Sequence, residues 1–309
     1  MMDILAVSEY LLVVGSLLTG ANLVYFVYRV FICRDALLKN EGRRLAQSVF
    51  VLVLLVLLCV QFGWAYTSEA YAVWMGFPLF LISLLLSVGF FWAFGQLRSA
   101  EERTITILES MVGVIEAGDA NLDGHSLHVR NLTLLLYENL PLTERLFLNP
   151  RNLECAALLL DVGKLGVPRT IIDKTGKLDA HEWELVRRHP QLAVHILEPI
   201  PSFKTISTWI QYHHERVDGT GYYQLKGDDI PLASRIISVA DTFSALTMER
   251  SYKATMTYED AIAELRQAAG TQLDARLVEI FCNIPVHIVE ASVDDTRRKM
   301  QRYQEGDFR

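Results

Sequence analysis

The residues able to do chemistry in this chain crowd into one stretch. Seven of its eight histidines fall between 125 and 214, and the eighth is His287. Singly, each is more easily read as a satisfied core or surface group than as a metal ligand; the clustering needs a better account. The adjacent pair His213-His214 leads directly into "ERVDGTGYY", a polar loop punctuated by glycine. His189 stands immediately before Pro190, a helix-start position where a side chain projects from a fixed backbone. Two carboxylates interrupt apolar runs: Asp161 in "ALLLDVGKLG" (157–166) and Asp241 in "SVADTFSALT". A lone charge in such a run is costly to bury unless it is paired or binds a metal. Lys164, three residues on from Asp161, offers the bland answer of an ion pair on one helix face. A divalent cation offers the other, because imidazoles with carboxylates are the ligand set of Mn, Fe or Zn.

Two decoys fall away. "DANLDG" (119–124) opens like a calcium loop, but its twelfth position is Arg130, where a bidentate glutamate is required. "KTGK" (174–177) lacks the frame of a phosphate-binding loop. The cysteines at 33, 59, 155 and 282 form no C-x-x-C pair and suggest neither disulfides nor a zinc cluster.

The elements that must position these groups read as helices. Apolar residues recur at helical spacing in Leu132–Tyr137, Leu153–Leu160, His181–Arg188, Leu192–Leu197, Ile206–His213, Ala233–Met248, Tyr258–Gln267 and Asp274–Phe281. Strand-like alternation is scarce, and proline and glycine punctuate the segments. The spacing of Ile105, Leu108, Met111, Val112 and Ile115 predicts a connecting helix over 98–117. Residues 118–287 then form the all-α chemical domain, and 288–309 a charged C-terminal tail.

The first third of the chain differs. The 309 residues are 51% hydrophobic, with a mean hydropathy of +0.23, and three charge-free stretches dominate: Tyr10–Tyr28, Leu45–Ser68 and Ala70–Leu97. Each meets the length of about 20 apolar residues for a bilayer-crossing helix. Residues 1–97 are therefore expected to form a membrane region with spans near 10–30, 46–67 and 72–96. Arg34, Lys39, Arg43 and Arg44 between the first two spans place that loop, and everything after Arg98, in the cytoplasm with the N-terminus outside. The expected location is a multi-pass protein of the cytoplasmic (inner) membrane. Basic and acidic residues balance in this region, so the net charge of −7 belongs to the remainder. An acidic domain is ill suited to wrapping nucleic-acid backbone, which excludes DNA as a partner.

The motifs resemble one family. "GHSLHV" (124–129), "LLLDVGKLGVP" (158–168), "KTGKLDAHEWELVRRHP" (174–190), "HHERVDGTGYY" (213–223), "LKGDDIPLASRIISVADTFSALT" (225–247) and "ERSYK" (249–253) are similar, in unbroken order, to the HD-GYP family. The resemblance covers about residues 115–283. It implies an all-helical HD-type metal-dependent phosphohydrolase domain, so that with the membrane region read from the apolar stretches the expected fold is all-α, a three-helix transmembrane region followed by that domain. The implied activity is hydrolysis of cyclic di-GMP by a metal-activated hydroxide. Matched position by position, it implies metal ligands at His125, Asp161, His189, His213, His214 and Asp241, with Asp161 bridging two metals. Asp161 and Lys164 carry the catalytic roles, Lys164 reaching a phosphate. Arg250, Lys253, Gly221 and Tyr222 complete the substrate contacts. The implied cofactor is one or two divalent ions, Fe or Mn. The implied partner is cyclic di-GMP; the membrane is the partner expected from the apolar stretches, with a homodimer or diguanylate-cyclase-type signalling proteins beyond them.

Two positions depart from the family pattern. Its His-Asp doublet reads Leu160-Asp161 and its Gly-Tyr-Pro reads Gly221-Tyr222-Tyr223; some members also carry an acidic ligand four residues before the first histidine, where this chain has Asn121. One metal keeps Asp161, His189, His213 and His214; the other is left with His125, Asp161 and Asp241. Losing even a supporting residue of a metal site typically costs 10–100-fold, so a phosphodiesterase of reduced activity is expected. A catalytically inactive relative that binds nucleotide or partner proteins is the alternative, and a phosphohydrolase for another nucleotide is a third.

Overall fold

The computed structural model describes residues 69–117, 124–174, 176–248 and 255–305, together with Tyr10 and residues 13–17, 19–21 and 24. Two compact units, Met1–Arg103 and Thr104–Arg309, divide the chain.

A helix α1, Glu69–Ala117, begins in the first unit. Its Ser83 and Ser87 are buried, and the Ser87 hydroxyl donates to the Ser83 carbonyl at 2.7 Å. Among the described residues no helix is long and apolar enough to cross a membrane. This corrects the expected three-helix transmembrane region, and with it the multi-pass inner-membrane location, the outward N-terminus and the membrane as integral partner. The stretch 10–30 is described only in part, and 46–67 lies outside the described residues. The stretch 72–96 does not stand as a separate apolar element. It belongs to a helix that carries Pro78 and runs unbroken through Arg98, Glu101, Glu102 and Arg103 to Ala117.

The second unit is a helical domain. After α1 come α2 (His125–Glu138), α3 (Leu142–Arg145), α4 (Pro150–Leu158), α5 (Arg169–Ile172), α6 (Ala180–Arg187) and α7 (His189–Leu197). Then follow α8 (Lys204–Gln211), α9 (Leu232–Thr247), α10 (Tyr258–Ala268), α11 (Ala275–Cys282) and α12 (Val286–Glu305). Local chemistry starts several of them. The Asn149 side chain accepts from the amides of Arg151 and Asn152 while Pro150 fills the first turn of α4. Asp179 and Glu182 form a reciprocal capping box at α6, and the side chains of Thr257 and Asp274 cap α10 and α11.

Helix α2 lies at the centre, packed against α4, α9 and α12. Leu127, Leu132 and Leu136 of α2, Leu153 and Leu158 of α4, and Ile236, Ile237 and Phe243 of α9 are all buried. Each such side chain contributes about 1.5–3 kcal/mol on leaving water. The core thereby fixes the first turn of α2 and the second half of α9, where His125 and Asp241 sit.

Helix α4 ends at Leu158, earlier than the apolar run suggests. Leu160 is fully buried, and Asp161 stands at the head of a 3-10 turn, Val162–Gly166, rather than inside a helix. Gly163 is required in that turn: a Cβ there would lie 1.9 Å from the His189 carbonyl oxygen, so its absence lets the turn press against the start of α7. At the chain's end, the charged segment forms α12, whose Val289, Thr296 and Met300 are buried. Lys299 pairs with Glu109 at 2.6 Å.

Candidate metal centre

Three imidazoles meet where α7 begins and α8 ends. His189 is the first residue of α7, and His213 and His214 follow Tyr212, the residue that caps α8. The Nδ1 atoms of His189 and His213 lie 2.8 and 2.6 Å from the carbonyl oxygens of Val186 and Ile210. A carbonyl only accepts, so each Nδ1 carries the proton and each Nε2 keeps its lone pair. Both Nε2 atoms are buried without a hydrogen-bond partner. One ligand atom from each of His189, His213 and His214 lies within 4.8 Å of the others, close enough to share one ion. Burial, with His213 alongside, drives the His214 imidazolium well below its ordinary range. Burial likewise brings His189 down to about 4 against the pull of Asp161. The lone pairs of His189 and His214 are therefore not occupied by protons near neutral pH, as metal binding requires.

Asp161 faces this group. Its Oδ1 is 3.4 Å from His189 Nε2, and its Oδ2 is 2.7 Å from Lys164 Nζ and 3.8 Å from His125 Nε2. The ion pair with Lys164 weighed from the sequence is thus present, in the same carboxylate that touches two imidazoles. Burial opposes the charge on Asp161, yet Lys164, His189 and His125 together hold its carboxyl well below the usual range.

On the other side of Asp161, α2 meets α9. His125 Nε2 lies 3.0 Å from Asp241 Oδ1, and its Nδ1 lies 3.0 Å from Ser244 Oγ. The same Ser244 oxygen is 3.0 Å from Nδ1 of His128, a fully buried residue whose Nε2 has no partner. Burial pulls the His128 imidazolium down to about 3 and is opposed at Asp241, where the hydrogen bond from His125 outweighs it and keeps the carboxyl ionised. The first turn of α2 is held by Glu116 of α1, whose Oε1 accepts from the Ser126 amide at 2.9 Å. Burial pushes the Glu116 carboxyl up to about 8.

A loop closes the site. Its Glu215 is buried, and the carboxylate accepts from the amides of Tyr223 and Leu225 at 2.5 and 2.7 Å. That anchors the buried Gly221 and sets the Tyr222 ring 5.0 Å from His214, with the Arg187 guanidinium 4.7 Å over the same ring.

The profile of the HD domain family matches residues 110–277. The chain belongs to the HD domain family. A 3′3′-cGAMP-specific phosphodiesterase of Vibrio cholerae is 40% identical over 164 residues, which cover 52% of this chain and 35% of that protein. A cyclic di-GMP phosphodiesterase of Thermotoga maritima is 30% identical over 193 residues, covering 62% and 52%. The chain thus spans about half, or less, of the length of these curated relatives. A solved structure of a cyclic GMP-AMP specific phosphodiesterase from V. cholerae superposes with a TM-score of 0.46 at 19% identity, over 62% of this chain and 53% of that one.

Of the residues singled out from the sequence, the HD domain brings together His125, Asp161, Lys164, His189, His213, His214, Tyr222 and Asp241. Arg250, Lys253 and Asn121 lie outside the described residues. Sequence reasoning missed His128, Ser244, Glu116 and Glu215. A signal for the first two existed: His125/His128 and Asp241/Ser244 share the three-residue spacing that places side chains on one helix face. The donor set of the HD domain fits a borderline divalent metal, since the orphaned Nε2 atoms converge on space flanked by a carboxylate.

Proposed function

We propose that this chain is a metal-dependent phosphodiesterase that opens the phosphodiester ring of a guanine-containing cyclic dinucleotide, cyclic di-GMP first. The observation carrying this reading is the pair of buried Nε2 atoms of His189 and His213 that no hydrogen bond satisfies, with His189 Nε2 3.4 Å from the carboxylate that pairs with Lys164. Relatives named as cyclic di-GMP and 3′3′-cGAMP phosphodiesterases supply the substrate class. His189, His213, His214 and Asp161 would hold one ion, and His125, Asp161 and Asp241 a second, with Fe or Mn the metal. Bound there, such ions supply Lewis acidity and a water acidic enough to serve as a nucleophile near neutral pH.

The chain's own groups do the rest. Asp161, kept ionised by Lys164, would be the carboxylate available to both ions. Lys164 uses one of its ammonium protons on Asp161 and has two left for a non-bridging phosphate oxygen, where charge develops as phosphorus is attacked. The Tyr222 ring and the Gly221 backbone form the wall against which a base rests, and Arg250 and Lys253 neutralise the second phosphate.

A second reading, a catalytically silent nucleotide- or protein-binding relative, is favoured by one feature: Leu160 is sealed in the apolar core beside Asp161, where the family pattern has an imidazole. Metal analysis and turnover on the full chain separate the two. Bound metal with linearisation of cyclic di-GMP, lost in Asp161→Ala, is the expected result. Retained nucleotide binding without turnover in added Mn or Fe overturns the enzyme reading. Turnover confined to 3′3′-cGAMP overturns the substrate choice alone.

A further inference from the structure

Two imidazoles compete for one hydroxyl beside the candidate centre. Ser244 Oγ lies 3.0 Å from Nδ1 of His125 and 3.0 Å from Nδ1 of His128. A serine hydroxyl has a single proton, so it donates to one ring and must accept from the other. The receiving ring has a bare Nδ1; the donating ring carries Nδ1–H. With one proton on each ring, the two histidines therefore hold opposite tautomers.

Asp241 decides the direction when no cation is present. Its Oδ1 sits 3.0 Å from His125 Nε2, and a carboxylate in hydrogen-bond contact needs a proton on that nitrogen. His125 Nδ1 is then bare, Ser244 donates to it, and His128 donates Nδ1–H to Ser244. His128 Nε2 is left as an unprotonated nitrogen, which agrees with its burial beside no partner.

We propose that His128 and Ser244 gate the lone pair of His125: a cation can take His125 Nε2 only if the hydrogen-bond chain reverses. After reversal His125 donates Nδ1–H to Ser244, Ser244 donates to His128 Nδ1, and His128 carries its proton on Nε2. Three protons are held by the trio in both arrangements, so the reversal exchanges protons with water and changes no charge. Its cost falls on His128, whose N–H then points into a dry, partnerless environment. His128 is thus a positioning residue that weakens the corner it supports. No such gate exists at His189 or His213, because a carbonyl cannot reverse. This inference rests on reading His125 as a metal ligand, which the test examines separately.

The test uses Zn²⁺ as a diamagnetic probe on the full chain, with long-range ¹⁵N–¹H spectra of the histidine rings. Without metal, Nε2–H is expected on His125 and Nδ1–H on His128; on adding zinc both invert together. His128→Phe, which keeps an aromatic ring and removes the proton trap, is expected to bind zinc at this corner roughly tenfold more tightly. Ser244→Ala is expected to bind it more weakly, because the His125 Nδ1–H loses its acceptor. Like tautomers on the two rings without metal, or inversion of His125 with His128 unchanged, overturns the gate. Weakened zinc binding in His128→Phe overturns it as well. If zinc moves the His189 and His213 signals and leaves His125 untouched, the ligand reading of His125 falls and the gate on its lone pair falls with it; opposite metal-free tautomers would then preserve only the shared hydroxyl.

Discussion

The two sides of Asp161 present imidazoles in different ways. At the α7/α8 side, His189 and His213 are fixed by backbone carbonyls, Val186 and Ile210, that can only accept. Their inward lone pairs exist before any ion arrives, and no rotamer or proton must change to use them. At the α2/α9 side, His125 is held by a hydroxyl and a carboxylate from side chains, and the hydroxyl can act in either sense. A backbone-held ligand is preorganised by the fold itself; a side-chain-held ligand depends on what else its holder touches. On the proposed reading, the first corner is the tight metal position and the second the weak one.

The severest way to break this contrast is to remove what both corners share. Asp161→Asn keeps the shape and deletes the charge, leaving the half-buried Lys164 beside a neutral amide. Both positions are expected to empty, and turnover to fall by more than the roughly 10–100-fold typical of a lost supporting residue. Elemental analysis reads the first and cyclic di-GMP hydrolysis the second. Retention of metal at the three-histidine corner would show that Asp161 serves only the other. Next in size is an asymmetry. His213→Ala is expected to abolish the tight position, whereas His125→Ala is expected to spare it, so zinc titrations of the two variants should lose different phases. Equal losses would erase the distinction between backbone-held and side-chain-held ligands.

What the sequence made legible follows the same line. Helices over most of the domain were readable because periodicity and caps such as Asp179/Glu182 are local. So were His189, His213, His214, Asp161 and Asp241, whose types and settings are anomalous in themselves. The residues that hold them were not. Glu116 acts on Ser126, Ser244 on two rings of another helix, and Glu215 on a loop eight to ten residues away. Each is an ordinary polar residue until tertiary packing supplies its partner. The end of α4 before Leu160 was hidden too, because an apolar run continues through the break. The apolar count of 72–96 misled in the opposite direction, since it said nothing of the charged helix into which that stretch continues.

Adding a ligand tests the contrast from the other side. Leu160→His places an imidazole next to Asp161 in a position now closed by the core. An unpaired imidazole there is destabilising, so the variant is expected to lose stability without metal and to recover it with Mn or Fe. Metal occupancy and turnover should both rise. If stability drops and occupancy does not move, position 160 does not face the metal, and the weakness of the second corner has another cause.

The smallest expected effect acts on the same corner through α2. Glu116 accepts from the Ser126 amide, one residue from His125, and burial raises its carboxyl to about 8 from an ordinary 4.5. The folded chain therefore binds a proton that the unfolded chain has released between these values. Stability contributed by this group is intact below about 4.5 and declines as pH rises through 8. Glu116→Gln keeps an oxygen for the Ser126 amide and cannot ionise, so it should be more stable than the parent at pH 8.5 by on the order of 2 kcal/mol and nearly equal at pH 5. Denaturant unfolding at the two pH values reads the difference. Because the amide still holds the first turn of α2, zinc affinity at the His189/His213/His214 corner should not change, and that at His125 should shift by less than about threefold. Parallel stability curves would mean that Glu116 is ionised in the folded chain, paired through its second oxygen. In that case its charge, rather than its shape, would be what steadies the side-chain-held corner.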